Sequence, residues 1–308
     1  MQKDQISNWR KTAQLVKNFS AFLETKKRSP NELIQQHGDS IREKLTQAST
    51  SDQTVLICAF NEEASLPYLL HSIAKNQPSL RVVVVDNNSS DRTSKIAEEL
   101  GACVIKEERP GLIHALICGY NFLATQTEQP RFIFHTDADS YVQPSWAESM
   151  IRFADKHITP ESGGQIFAPL IFYGSLSRDS FRTAISLSLD LYFHQQNASR
   201  PHGPNGLIVP TLDKSMLKHI AQPVEEEIVT GTDDFIHQRV LQAKGQHAFN
   251  FSPSSVVFTS GDRYTSIRQI LKTFLSPNMS KSVYQEWHDR QPHGYRYVSP
   301  KRPKIGKY

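Results

Sequence analysis

Along the first fifty residues apolar side chains recur at intervals of three and four, first through Trp9, Ala13, Val16, Phe19 and Leu23, then through Leu33, Ile34, Ile41 and Leu45 with His37 on the same face. That spacing predicts two amphipathic helices. Between them Ser29-Pro30-Asn31-Glu32 is a helix start: Ser29 caps, Pro30 is tolerated at the first helical position, and Glu32 reaches back to complete a capping box. From residue 54 the pattern changes to short β-rich runs alternating with helical ones. Strands are expected at Thr54–Ala59, Arg81–Val85, Cys103–Lys106 and Arg131–Thr136, with helices near 65–76, 91–100 and 112–124. This alternation is the signature of a parallel sheet wrapped by helices, and Val82-Val83-Val84-Val85, apolar on both faces, suits a central strand.

After residue 150 the pattern loosens. Gly163-Gly164, Gly174, Pro201-His202-Gly203-Pro204-Asn205-Gly206 and Pro210 break it into loops around a helix expected near 178–198. A further helix is expected from Phe235 to Leu241, ending at Gly245. Beyond residue 265 the chain turns polar, aromatic and basic, through Tyr295-Arg296-Tyr297 to Lys301, Arg302 and Lys304. The organisation read from these shifts is a helical extension over 1–50, an α/β domain over 51–265 whose halves divide at 150, and a basic aromatic tail over 266–308.

In open parallel sheets ligands gather at the carboxyl ends of the strands. Here those ends are polar: Phe60-Asn61-Glu62-Glu63 after the first strand, Asp86-Asn87-Asn88-Ser89-Ser90-Asp91 after the second, Asp137-Ala138-Asp139 after the fourth. Side chains of an extended segment alternate faces, so Asp137 and Asp139 point the same way with Ala138 turned aside. Two carboxylates so close repel unless a proton or cation neutralises them, and hard oxygen ligands suit Mg2+ or Mn2+. Asp233 and Asp234 precede the Phe235 helix, where one acid can cap it and complement its dipole, leaving the other for chemistry.

Composition adds bounds rather than direction. A chain of 308 residues with a formal charge of +4 does not carry the concentrated basic stripe that nucleic acid requires, and an anionic substrate stays open. The three cysteines, Cys58, Cys103 and Cys118, sit inside apolar runs without metal-type spacing, which reads as buried thiols in a reducing compartment. The start of the chain lacks the apolar core of a signal peptide, and no run approaches the roughly 20 apolar residues that span a bilayer. The expected location is cytoplasmic, with peripheral attachment at a membrane surface open to the basic tail.

Taken together, four segments resemble the metal-dependent GT-A glycosyltransferases, in particular the inverting family 2. Val55 to Glu63 is similar to that family's opening strand, with Cys58 where Pro is usual, and Val85 to Asp91 resembles its second motif, with Asn87 where Asp is usual. His135 to Asp139 matches its metal motif, and Asp233-Asp234, before a helix ending in Ala243-Lys244-Gly245, resembles its acidic base motif. The resemblance covers roughly 54–260. It implies a Rossmann-like, mainly parallel mixed sheet flanked by helices, and transfer of a sugar from a nucleotide diphosphate donor, uridine-linked by resemblance, to an acceptor hydroxyl. By the same resemblance Ala59, Phe60, Asn61, Glu63, Asp86 and Asn88 hold base and ribose, Asp137 faces ribose and metal, Asp139 holds the metal, and Asp234 is the base with Asp233 beside it. Arg109, Gly111 and His114 lie in the stretch that approaches sugar and phosphates, and Arg263 is a candidate phosphate contact. His247 reads as a packing or surface residue. The acceptor is left open among a small molecule, a lipid headgroup, a glycan and a modified nucleic acid. Two other readings accompany this one: a non-catalytic nucleotide- or carbohydrate-binding module, and a sugar-nucleotide pyrophosphorylase, whose Gly-rich phosphate loop is not evident after residue 60.

Overall fold

The computed structural model describes residues 14–15, 17–167, 171–173, 205–223, 235–236, 239–240, 242–250 and 252–259. The expected helix near 178–198, Asp233, Asp234, Arg263 and the basic tail lie outside the described residues. Helical residues 17–26 (α1) and Pro30–Gln47 (α2) precede β1 (Gln53–Ala59), α3 (Leu66–Asn76), β2 (Arg81–Asp86), α4 (Thr93–Glu99), β3 (Cys103–Lys106), α5 (Leu112–Thr125) and β4 (Phe132–His135). There follow β5 (Ser140–Val142), α6 (Trp146–His157), β6 (Gly164–Phe167), β7 (Ile171–Tyr173), β8 (Gly206–Val209), α7 (Ser215–Ile220), β9 (Gln246–Phe249) and β10 (Val257–Thr259). The capping box at α2 forms as its sequence dictates: Ser29 Oγ accepts from the Glu32 amide, and the Ser29 amide donates to Glu32 Oε2 at 2.7 Å.

Seven strands make the main sheet in the order β3-β2-β1-β4-β8-β6-β9. The first four are parallel throughout, β1 pairing Ala59 with Asp86 of β2 and Leu56 with His135 of β4. β8 then runs antiparallel to both β4 and β6, and β9 is parallel to β6. The strand order reverses beside β1, between a neighbour that follows it directly and one that follows two crossovers later, and this is where an open α/β sheet opens a crevice. A second sheet, β5-β10-β7, forms immediately after the acidic pair.

One face of the main sheet is covered by α2, α3, α4 and α6, where Ile41, Leu45, Leu69, Ile73 and Trp146 share a core with Val55, Val84 and Phe134. The other is covered by α5 and α7, where Ile117, Tyr120 and Leu217 meet Leu56, Val83 and Ile133. α5 comes close to the strands because position 119 is glycine: a Cβ there would stand 2.7 Å from Leu56 Cδ1 and 3.0 Å from Val85 Cγ2. The N-terminal helices are thus part of the core. Phe19 and Phe22 of α1 pack on Tyr141 and Phe258 of the second sheet, joining the start of the chain to β5 and β10.

The cysteine expectation is corrected in one respect. All three thiols are free but only half-buried, because β3 is the sheet edge that carries Cys103 and because Cys58 lies near the polar end of β1. Desolvation first, then the Asp137 charge and Cys118, push the Cys58 thiol up, so it is not a ready nucleophile.

Candidate functional site

The carboxyl ends of β1, β2 and β4 lie side by side and place three polar loops on one rim. After β1, Asn61 turns the chain with φ 53°, a left-handed conformation that asparagine tolerates better than most residues. Its Oδ1 accepts from the Ser90 amide at 2.8 Å, and its own amide donates to Ser89 Oγ at 3.0 Å, tying this loop to the one after β2. Glu63 completes the splice: its amide donates to Asp91 Oδ2 and its Oε2 accepts from the Arg92 amide, both at 3.1 Å. Asn61 and Glu63 therefore shape the loop, and Phe60 lies half-buried between them and Ala59.

Asp86, 6% exposed at the end of β2, accepts from the Ser89 amide at 3.2 Å. Asn88, with φ 64°, is exposed and donates to the Glu108 carbonyl at 2.7 Å. Asn87, not singled out as a site residue by its sequence, holds the loop after β3. Its Nδ2 donates to the carbonyls of Glu107 (3.0 Å) and Arg109 (2.7 Å), while its Oδ1 accepts from the Gly111 amide (2.8 Å). An aspartate could make only the last of these, which accounts for amide rather than acid at this position.

Arg109 is not a free surface cation. Glu107, 8% exposed, grips its guanidinium with Nε at 2.9 Å and Nη2 at 2.8 Å and also accepts from its amide. The Arg109 side-chain hydrogen bond holds the Glu107 carboxyl below the usual carboxylate range. Glu107 was missed in sequence because a lone acid two residues before an arginine has no distinctive spacing. His114, in the first turn of α5, joins the cluster: its charge acts on Glu107, and its Nδ1 is buried without a hydrogen-bond partner among the described residues.

Past β4 the extended course expected for the pair gives way to a turn closed by the Ser140 amide on the Asp137 carbonyl at 3.1 Å, in which Asp137 and Asp139 are half-exposed and Ala138 between them is buried. Thr259, the last residue of β10, donates from Oγ1 to Asp139 Oδ1 at 2.9 Å and fixes that carboxylate from across the second sheet. The hydroxyls of Thr136 and Ser140, which flank the pair, are buried without a hydrogen-bond partner among the described residues. Two carboxylates with orphaned hydroxyl oxygens beside them form a hard donor set that suits a divalent cation. Among the described residues no group of three His, Cys, Asp or Glu side chains converges as a metal site, so such an ion would rely on its ligand and water for the remaining positions. Behind the pair, His135 Nδ1 lies 3.0 Å from the Tyr120 hydroxyl, and burial holds this imidazole down to about 4. His247, on β9, is half-buried and remote from this rim in the strand order.

The strand order and the acidic rim define a class, an open, mainly parallel α/β sheet with a polar crevice at its strand ends. Residues 54–196 match the family model described as Glycosyl transferase family 2, and three of the four motifs lie within that stretch. Over 66 residues, 21% of this chain, it is 44% identical to an uncharacterised glycosyltransferase of Mycobacterium bovis, of which 29% is covered. Over 56 residues it is 43% identical to a 4,4'-diaponeurosporenoate glycosyltransferase of Staphylococcus haemolyticus, of which 15% is covered. The chain thus spans less than a third of the length of these curated relatives. Among solved structures it is similar to glucosyl-3-phosphoglycerate synthase from Mycobacterium tuberculosis bound to Mn2+, UDP-glucose and phosphoglyceric acid, at 19% identity and TM-score 0.44 over 80% of this chain and 82% of that one. It is also similar to a mannosyltransferase from Pyrobaculum calidifontis with GDP-mannose and Mn2+, at 15% identity and TM-score 0.47 over 86% and 76%. Among the described residues no helix is long and apolar enough to cross a membrane.

Proposed function

We propose that this protein is a metal-dependent, inverting glycosyltransferase that moves a sugar from a nucleotide diphosphate donor, uridine-linked, to an acceptor hydroxyl. The observation that carries the reading is the Asp137–Asp139 pair, projected from the end of β4 beside the loops of β1 and β2 and braced by Thr259. The Phe60–Glu63 loop, Asp86 and Asn88 would take base and ribose, and Arg109, oriented by Glu107, would face the phosphates with His114. Asp137 and Asp139 would hold Mn2+ or Mg2+. When bound, that ion offsets the negative charge that builds on the departing diphosphate.

Inversion requires a base on the opposite face of the sugar, within hydrogen-bond reach of the attacking hydroxyl. Asp234 is assigned that role, its carboxylate taking the acceptor proton as the oxygen attacks the anomeric carbon, and Asp233 orients it or contacts the acceptor. The transition state carries oxocarbenium character, which a nearby carboxylate also stabilises. Arg263 is assigned to the phosphates.

A thermal-shift screen tests the donor half: UDP, UDP-glucose, GDP and GDP-mannose with Mn2+, Mg2+ or chelator, on wild type and Asp139→Ala. Metal-dependent stabilisation by one nucleotide, absent in the variant, is expected. Equal stabilisation of the variant, or none by any nucleotide, would overturn the reading.

A further inference from the structure

Away from the rim, α1, α2 and α3 border a half-open pocket of about 360 Å³. His37, Ser40, Ile41 and Lys44 reach it from α2 at helical spacings of three, four and seven, and His71, Ala74 and Lys75 do so from α3. Thr25 and Arg28 close it from the end of α1. Among the described residues no carboxylate lines it. Glu32, the acid on which Arg28 acts, is already engaged by the amide and hydroxyl of Ser29. Arg28, Lys44 and Lys75 have no ion-pair partner among the described residues, whereas Arg42, Lys95, Arg131 and Arg152 all do.

His71 is 8% exposed, makes no hydrogen bond among the described residues, lines the pocket, and lies with its ring 4.8 Å from that of His37. Burial first, then the charges of His37, Lys75, Arg28 and Lys44, hold its imidazole down to about 4. Helix dipoles account for Lys44 and Lys75 singly, since each lies in the last turn of its helix. They do not account for an arginine and two imidazoles converging on the same opening. Like charges gathered without an acid are costly unless an anion joins them, and imidazolium, ammonium and guanidinium donors together match the acceptor oxygens of a phosphate group.

We propose that this pocket is an anion site for a phosphate group, either on a small phosphorylated metabolite or on a phosphomonoester lipid headgroup, bound by Arg28, Lys44, Lys75, His37 and His71. It lies beside the last turn of α3, the end away from the Asn61–Glu63 loop, and draws Arg28, His37 and Lys44 from the stretch that precedes the matched family segment and His71 and Lys75 from within it.

The test uses the full chain with chelator present, so that the rim holds no metal. Inorganic phosphate and glycerol 3-phosphate are titrated at constant ionic strength while the imidazole resonances of His37 and His71 are followed by NMR. Vesicles of phosphatidylcholine with and without phosphatidic acid are co-sedimented in parallel. Saturable shifts and a rise in the His71 pKa are expected with soluble phosphate. Alternatively, sedimentation that needs phosphatidic acid identifies the lipid source. Replacing both lysines (Lys44→Ala with Lys75→Ala) should weaken whichever binding is seen by about 10-fold or more, as loss of charge-assisted bonds would. The control pair Lys95→Ala with Lys156→Ala should leave it unchanged. Neither phosphate shifts nor sedimentation, or equal losses in both pairs, would overturn the proposal. If the lysine variant fails to fold, the wild-type imidazole titration with the soluble and lipid probes decides alone.

Discussion

Asn87→Asp restores the residue most usual at this place in the resembling family, and the structure says that here it should be harmful. Asn87 is 4% exposed and donates to two carbonyls that a carboxylate would instead confront at 2.7 and 3.0 Å. The Glu107 carbonyl keeps a weak partner in Asn88 Nδ2 at 3.3 Å, but the Arg109 carbonyl loses the hydrogen bond it has. Two lost hydrogen bonds at about 1 kcal/mol each, and a desolvated acceptor set against acceptors at about 1–2 kcal/mol more, give about 3–4 kcal/mol. For a chain of this size that is a fall in Tm of about 6–12 °C. The sign with pH separates this cause from a packing defect. The new carboxyl should titrate above its unfolded value, so the folded state binds the extra proton, and the deficit present at neutral pH should shrink as pH falls through the folded pKa. Asn87→Ala, which removes all three bonds without adding charge, should lose stability with no such pH dependence. Differential scanning calorimetry of the three proteins between pH 8 and 5 is the assay. An Asn87→Asp protein as stable as wild type at pH 8, or with a deficit independent of pH, would refute the account of the loop.

Other outcomes follow from the same contacts. Asp234→Asn should leave nucleotide binding intact while transfer falls about 10²–10⁴-fold, the usual worth of a general base, checked by calorimetric binding beside a turnover assay. Thr259→Val, which removes the donor to Asp139, should weaken Mn2+-dependent nucleotide stabilisation with little change in the Tm of the apo protein. Arg109→Gln frees Glu107, whose lowered folded pKa stabilises above its unfolded value and is lost as pH falls through the folded one; acid unfolding followed by circular dichroism should therefore begin at higher pH in the variant. His71 and His135 are both held near 4, so the unfolded chain binds more protons between there and about 6.5, and stability should fall as pH drops through that window and level off below it. Gly119→Ala gains helix propensity but drives a methyl into Leu56 and Val85, for a net loss of about 1–2 kcal/mol measured by urea unfolding.

Local periodicity made much of this legible. Val82 to Val85 and the Leu112 helix declare their burial in consecutive residues, and the sheet half they build came out within a residue or two of the expected bounds. The acidic pair stood out as a motif, but extended alternation is not what sets it, since β4 ends at His135 and Asp137 to Ser140 form a turn closed by the Ser140 amide on the Asp137 carbonyl at 3.1 Å. What sequence could not show were partners distant along the chain. Thr259 has no motif, and its bond to Asp139 exists only because β10 docks against β5. Asn87 looked like a departure from a pattern; its meaning lies in two carbonyls twenty and twenty-two residues away. Cys58 and Cys103 misled for the opposite reason, since an apolar run reports the strand and not whether its end or edge faces water.

The bond between Thr259 and Asp139 also sets an order of events. Strands β1 to β4 can pair from contacts available once about the first 135 residues exist, but β5 has no partner until β10 arrives, and Gln143 waits for the carbonyls of Pro253 and Val256. During synthesis the rim loops can therefore form long before the carboxylate that completes them is braced, since closing so wide a loop is slow and must follow local structure. On the proposed function, a nascent chain would hold formed β1 and β2 loops while Asp139 stays unbraced, until β10, the last of the described strands, packs on Phe19 and Phe22.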